Sequence, residues 1–337
     1  MGNFLMKFKC LPLFFAAVIF LNSCVDKPIV EEEKSRTEPD VHFAGIRSCY
    51  LGFGDNKRGT RDFPTPDEAV AVMKNIAKKF GENTIPSAVW IIGGIITMHN
   101  LDYDVCPHTN DSAFCRLEFP ENPESPTNDP MYIRFSDTDK HTPYLEKFDK
   151  EGIKVYLQVE PGRAKMEELI RLCLDKYGHH PSVAGFGVDV EWYPSNGETN
   201  GPGEKIHTPL TPSHLKDLDS LVKLYNKDFK VMAKHFNANY VGGKSVGDVI
   251  YINSSQWYDN LNELAVNFAN WADRFYPNEV GYQLCYPDDY GWWKNLNDPI
   301  KDISKAIFNK MKNKDQKINI YCVDFSIRWE EFDDLWK

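Results

Sequence analysis

Residues 41–337 are predicted to form an α/β fold, a single (β/α)8 barrel. Three observations carry the expectation. Eight short apolar runs recur along the chain, and each is followed by a helical pattern or a loop. Alternation of this kind implies parallel strands joined by right-handed crossovers, and eight such units close on themselves. Polar residues also gather at one end of most of the runs. An open doubly wound sheet is the alternative. It would carry a Gly-rich phosphate loop after its first strand, but that place holds Gly52-Phe53-Gly54-Asp55, with neither a third glycine nor a helix start.

The elements follow in order. Residues 43–50 read as the first strand. Residues 66–80 read as a helix, with Thr65 at the N-cap and Pro66 in the first position, where its missing N–H costs nothing. A second strand is expected at 88–92 and a short helix at 143–150. Between them, residues 97–142 show no period and many Pro, Asn and Asp. A stretch of that length reads as a functional or disulfide-tied loop. Strand and helix then alternate cleanly: 154–159 and 164–177, then 183–190 and 212–225. A strand at 230–234 leads into a weak helical connection. Next come 249–253 with 261–275, 279–285 with 299–312, and 318–325 with a last short helix near 329–336.

The N-terminus has a different character. A short basic start with Lys7 and Lys9 precedes an apolar run from Cys10 to Leu21. A membrane span needs roughly 20 apolar residues, so the run reads as a signal peptide over residues 1–23. It ends in Leu21-Asn22-Ser23-Cys24, which resembles the lipobox of bacterial lipoproteins. That resemblance implies cleavage before Cys24 and acylation of its thiol. Residues 24–40 carry Glu31-Glu32-Glu33 and few apolar side chains, and read as a flexible tether. The expected location is a bacterial cell envelope, with membrane contact through the lipid alone. The formal net charge is -10 and becomes more negative once Lys7 and Lys9 are removed. With no basic stripe, a nucleic-acid partner is not expected, and the chain reads as a monomer.

Six cysteines follow Cys24. Cys106 and Cys115 bracket a short loop and are expected to pair in an oxidising compartment. Cys49, Cys173, Cys285 and Cys322 stand in apolar contexts and read as core residues. No CxxC pair exists, and neither a metal nor a cofactor is expected.

In these barrels the chemistry sits at the C-terminal strand ends. The fourth strand carries the sharpest signal, Gly187-Val188-Asp189-Val190-Glu191-Trp192-Tyr193. Side chains alternate along a strand, so Asp189 and Glu191 are expected to face the mouth together. A negative Asp189 would then raise the proton affinity of Glu191 and suit it to protonate a leaving oxygen. Further contacts to a ligand are expected from Gln158 and Glu160 after the third strand, Trp192 and Tyr193 beside the acid pair, and His235 after the fifth strand. Asn253, Gln283, Tyr286, Asp288 and Trp329 extend the set over the last three strands. Glu160 and Asp288 are each placed to act as a second carboxylate. Aromatic residues make up 13% of the chain, and Trp292-Trp293 reads either as a sugar platform or as core packing.

Residues 184–191 resemble the fourth-strand motif of glycoside hydrolase family 18, D-G-x-D-x-D-x-E, in the chitinases and endo-N-acetylglucosaminidases. Gly185, Asp189 and Glu191 match it, while Ala184 and Gly187 replace its two earlier Asp residues. The resemblance implies that Glu191 is the general acid/base and that Asp189 orients an N-acetyl group, which itself attacks the anomeric carbon. The Asp-x-Glu pair is also similar to that of the family 25 lysozymes. The expected function is hydrolysis of N-acetylhexosamine-containing glycans. The alternative is a catalytically silent, lectin-like barrel that only binds glycan.

Overall fold

The structure, a computed structural model, describes residues 36–48, 62–96, 114–193 and 209–337. The expectations for the signal peptide, the tether up to residue 35, Cys24, Cys49 and Cys106 lie outside these residues. Residues 36–40 are irregular and lead into β1 (Val41–Ser48). The elements that follow are α1 (Pro66–Lys78), β2 (Ile85–Ile96), β3 (Phe114–Leu117), β4 (Ile133–Phe135), α2 (Thr142–Glu151), β5 (Lys154–Val159), α3 (Met166–Tyr177) and β6 (Val183–Asp189). Then come α4 (Pro212–Tyr225), β7 (Lys230–His235), β8 (Ile250–Asn253), α5 (Leu261–Phe275), β9 (Val280–Leu284), α6 (Tyr290–Trp293), α7 (Pro299–Lys310), β10 (Ile318–Val323) and α8 (Asp324–Ile327).

Eight strands pair in parallel, in the order β1-β10-β9-β8-β7-β6-β5-β2, and β1 also pairs with β2. That last pairing closes the sheet, so the fold is the (β/α)8 barrel expected. Side chains facing inward fill the lumen. Phe43, Val89, Tyr156, Met232, Ile252 and Tyr321 form one buried cluster of their own, contributed by six different strands. The larger core lies between the sheet and the helices. On α5, Leu264, Phe268, Trp271 and Phe275 recur every three or four residues and are all buried, the stripe that an amphipathic helix turns to a sheet. Local chemistry fixes the helix starts. Thr65 accepts from the Glu68 N–H while Glu68 Oε2 accepts from the Thr65 N–H at 2.8 Å, a reciprocal cap in front of Pro66.

The stretch between β2 and α2, read from the sequence as a functional or disulfide-tied loop without a period, contains strand. β2 runs twelve residues, past the barrel rim, and β3 pairs antiparallel to its end with β4 alongside. Four- and three-residue strands are too short to show a period of two, which explains why they escape a reading of the sequence. Buried Glu118 anchors the extension through Arg116 at 2.6 Å and Lys140 at 3.0 Å. Cys115 is buried on β3, and burial pushes its thiol well above the ordinary range.

The same region holds a pH-sensitive contact. His141, buried at the start of α2, accepts the Trp90 indole N–H at Nδ1, 3.1 Å away, so its ring is neutral. Burial pushes its pKa down to about 4, against the pull of Asp139 and Glu118. Below pH 6.5 the unfolded chain takes up a proton that the folded chain refuses. Stability is therefore lost as pH falls from 6.5 towards 4, by up to about 3 kcal/mol. Urea denaturation at pH 7 and pH 4.5 checks this. The stability difference between wild type and His141→Gln should shift towards the variant at the lower pH, and a pH-independent difference would contradict the assignment.

Candidate active site

The site is built around the C-terminal end of β6. Gly185 has φ +150°, and a Cβ there would lie 2.0 Å from the Lys230 carbonyl oxygen. Close approach of β7 therefore demands glycine at this position, whatever the chemistry beyond. At Gly187 a Cβ would meet the Gln158 side chain at 3.2 Å, in the register that pairs Gln158 with Gly187. A side chain at Gly187 would therefore crowd Gln158, which would have to give by a few tenths of an ångström. β6 ends at Asp189, and residues Val190–Trp192 turn into a 3-10 helix. Glu191 is therefore on that turn and not on the strand, as expected from simple alternation. The strand stops one residue earlier than its apolar pattern suggests, because Val190 packs into the core from the turn.

What brings the two acids together is Lys234. The β6–β7 register sets Asp189 opposite Lys234. The Lys234 ammonium donates to Asp189 Oδ2 at 2.8 Å and to Glu191 Oε2 at 3.1 Å. Asp189 is fully buried, whereas the Glu191 side chain keeps 19% of its exposure. Behind them, Arg47 at the end of β1 donates to Glu160 Oε1 at 3.4 Å and stands 3.7 Å from Asp189 Oδ2. Three carboxylates and two cations thus share one end of the barrel lumen.

This crowding moves proton affinities. Glu160 is raised above the usual carboxylate range, by burial first and by the charge of Asp189 second. Asp189 is raised by burial, with Lys234 opposing and Glu191 adding. For Lys234, burial works to remove the charge, but Asp189 and Glu191 outweigh it and hold the ammonium. A lysine so held is poorly suited to attack a carbonyl, because the nucleophilic amine must first lose its proton.

Other residues from the sequence analysis divide into two groups. Gln283 and Tyr286 join the cluster. The Tyr286 hydroxyl donates to Gln283 Oε1 at 2.5 Å, and its pKa is raised by burial, with Lys234 and Arg47 opposing. Gln158 Nε2, Gln283 Nε2 and Asp189 Oδ1 are buried polar atoms with no hydrogen-bond partner among the described residues. Buried polar groups are ordinarily paired, so these two donors and one acceptor at one barrel end can each form a hydrogen bond with a water or a polar ligand. The remaining residues have local partners. His235 Nδ1 accepts from the Asn237 N–H at 2.8 Å, and its ring stacks on Tyr240. Asn253 accepts from the Ser255 N–H and donates to Asn267, so it shapes the loop after β8. Tyr193 meets His214 edge-on, and Trp192 is half-buried beside it. Trp329 stacks on buried Trp293 in the core, which settles Trp293 as packing. Asp288 lies on the 3-10 turn Pro287–Asp289 and accepts the Trp257 indole N–H at 2.9 Å.

Reading the sequence missed Arg47 and Lys234. Each is a single cation at the end of an apolar strand, and the signal was their place at strand C-termini alongside the acids. Among the described residues, no group of three or more His, Cys, Asp or Glu is arranged to hold a metal ion. No protein-family model matches the chain, and no curated protein matches it.

Proposed function

We propose that this protein is a cell-envelope glycoside hydrolase acting on N-acetylhexosamine-containing glycans, with Glu191 as general acid/base. The observation that carries the reading is the junction of Asp189, Lys234 and Glu191 at the C-terminal end of the barrel strands, where Glu191 alone of the two acids keeps exposure. This is the end at which such barrels place their chemistry. Glu191 would donate its proton to the glycosidic oxygen as the C–O bond breaks, while the N-acetyl oxygen attacks the anomeric carbon. Glu191 would then take a proton from the water that opens the cyclic intermediate. Asp189 serves as the stabilising charge behind it. Lys234 favours the ionised form of both acids, so acid catalysis requires that a bound sugar separate Glu191 from the ammonium. The open donors of Gln158 and Gln283 and the open acceptor of Asp189 support polar recognition of the sugar.

Substrate assistance has its own test. A thiazoline analogue of the cyclic intermediate should inhibit wild type, and Asp189→Asn should bind it poorly. Equal cleavage of substrates lacking the N-acetyl group would remove substrate assistance and point to Glu160 or Asp288 as second carboxylate. A lectin-like barrel is the second reading, and it is favoured by Gly187, crowded by Gln158, standing where the resembled family carries an Asp.

Location follows from the N-terminus. Among the described residues no helix is long and apolar enough to cross a membrane, and attachment is assigned to a lipid on Cys24. Cys24→Ser should move the protein from the membrane fraction to the soluble fraction. Continued sedimentation of the variant, with no palmitate label on wild type, would contradict the anchor.

A further inference from the structure

We infer that Trp257 is a stacking platform for a sugar ring at the barrel mouth, fixed in place by the turn that follows β9. The inference rests on the glycan reading above and adds a subsite to it. Trp257 lies four residues past the end of β8, on the face of the barrel where the strands end. It is 74% exposed, an unusual state for the largest apolar side chain. Its backbone is left-handed, with φ 67°. Any residue with a Cβ pays roughly 1–2 kcal/mol in that region, and chains ordinarily use Gly or Asn there. Such strain persists only where the surroundings over-determine it.

The surroundings here do so. The Trp257 indole N–H donates to Asp288 Oδ1 at 2.9 Å, and the next backbone N–H, of Tyr258, donates to Asp289 Oδ1 at 2.7 Å. The Trp292 indole N–H donates to the Tyr258 carbonyl at 2.9 Å. Asp289 is buried, and burial raises its carboxyl to about 6. The turn that carries both aspartates begins just after Cys285, itself left-handed at φ 64°. On the other side, the Ser255 hydroxyl bonds to Asn253 at 2.6 Å and lies 3.1 Å from the Phe236 carbonyl, tying this loop to the one after β7. Phe236 is also exposed, at 45%.

A strained, tethered and solvent-facing indole contributes little to the core. Held by its edge, it presents its ring faces to solvent. The faces of an aromatic ring carry negative potential, and a carboxylate on the N–H deepens it. The complementary surface is a patch of polarised C–H groups, which the flat side of a pyranose supplies. Trp257 follows β8 whereas Glu191 follows β6, with β7 between the two strands, so the ring should engage a different sugar unit from the one being cut. Its contribution should appear with oligomers and not with a single sugar.

Calorimetric titration of the full chain in detergent with N-acetylglucosamine oligomers of one to five units tests this. Trp257→Ala should weaken binding of the longer oligomers by about tenfold and leave the monomer unchanged. Trp257→Phe should restore most of the loss, and Asp288→Asn should show a smaller loss than Trp257→Ala. If wild type binds the oligomers and Trp257→Ala binds every length equally well, the platform is wrong and the glycan reading stands. If wild type binds no oligomer of any length, the platform is wrong, and the glycan reading then stands or falls on release of sugar from peptidoglycan and N-glycans.

Discussion

Glu191→Gln is expected to lower turnover by about 100-fold or more, the size of a general-acid contribution, while glycan binding survives. Gln has nearly the size of Glu and can still accept from Lys234, but it has no proton to give. The stability of the variant should change little, because Glu191 is the partly exposed member of the cluster and its contact to Lys234 can persist. Steady-state kinetics separates the outcomes: a fall in kcat with KM held indicates lost chemistry. A rise in KM with kcat unchanged would make Glu191 a binding residue instead.

Lys234→Met is expected to have the largest effect on the fold. The ammonium is buried between two carboxylates, one of them fully buried. Removing one partner of a buried charge cluster costs up to about 3–5 kcal/mol, since Arg47, 3.7 Å from Asp189, then offsets the carboxylates only in part. Chemical denaturation reads this directly. Activity adds a second reading that a structural role alone would not move. Without the ammonium, Glu191 should hold its proton to higher pH, so the alkaline limb of the pH–rate profile should shift upward in whatever fraction remains folded. Lys234→Met with wild-type stability, or with an unmoved limb, would contradict the bridging role.

The barrel was legible because its signal is repeated and local. Each of the eight strands has an apolar run and most have polar residues at the end, and β5 begins and ends where the sequence predicts. The site was legible only in part. Asp189 and Glu191 stood out as acids in an apolar setting, but the geometry joining them depends on a register between strands. Lys234 is 45 residues from Asp189, and only the pairing of β6 with β7 sets them side by side. Arg47 comes from the far side of the closure, where β1 meets β10 and β2. Gly185 shows the opposite case. Its match to a catalytic motif has a steric origin in the approach of Lys230. Trp257 could not be singled out either, since a left-handed tryptophan leaves no mark on sequence pattern.

The central claim is that the Asp189–Lys234–Glu191 junction cuts a glycosidic bond. Release of reducing ends from N-acetylhexosamine-containing substrates, including chitin oligomers, peptidoglycan and N-glycans, measures it most directly, with Glu191→Gln assayed in parallel at equal concentration. The account expects wild type to release sugar from at least one of them and the variant to release about 100-fold less. Binding by wild type without release from any substrate would contradict it and leave a glycan-binding barrel.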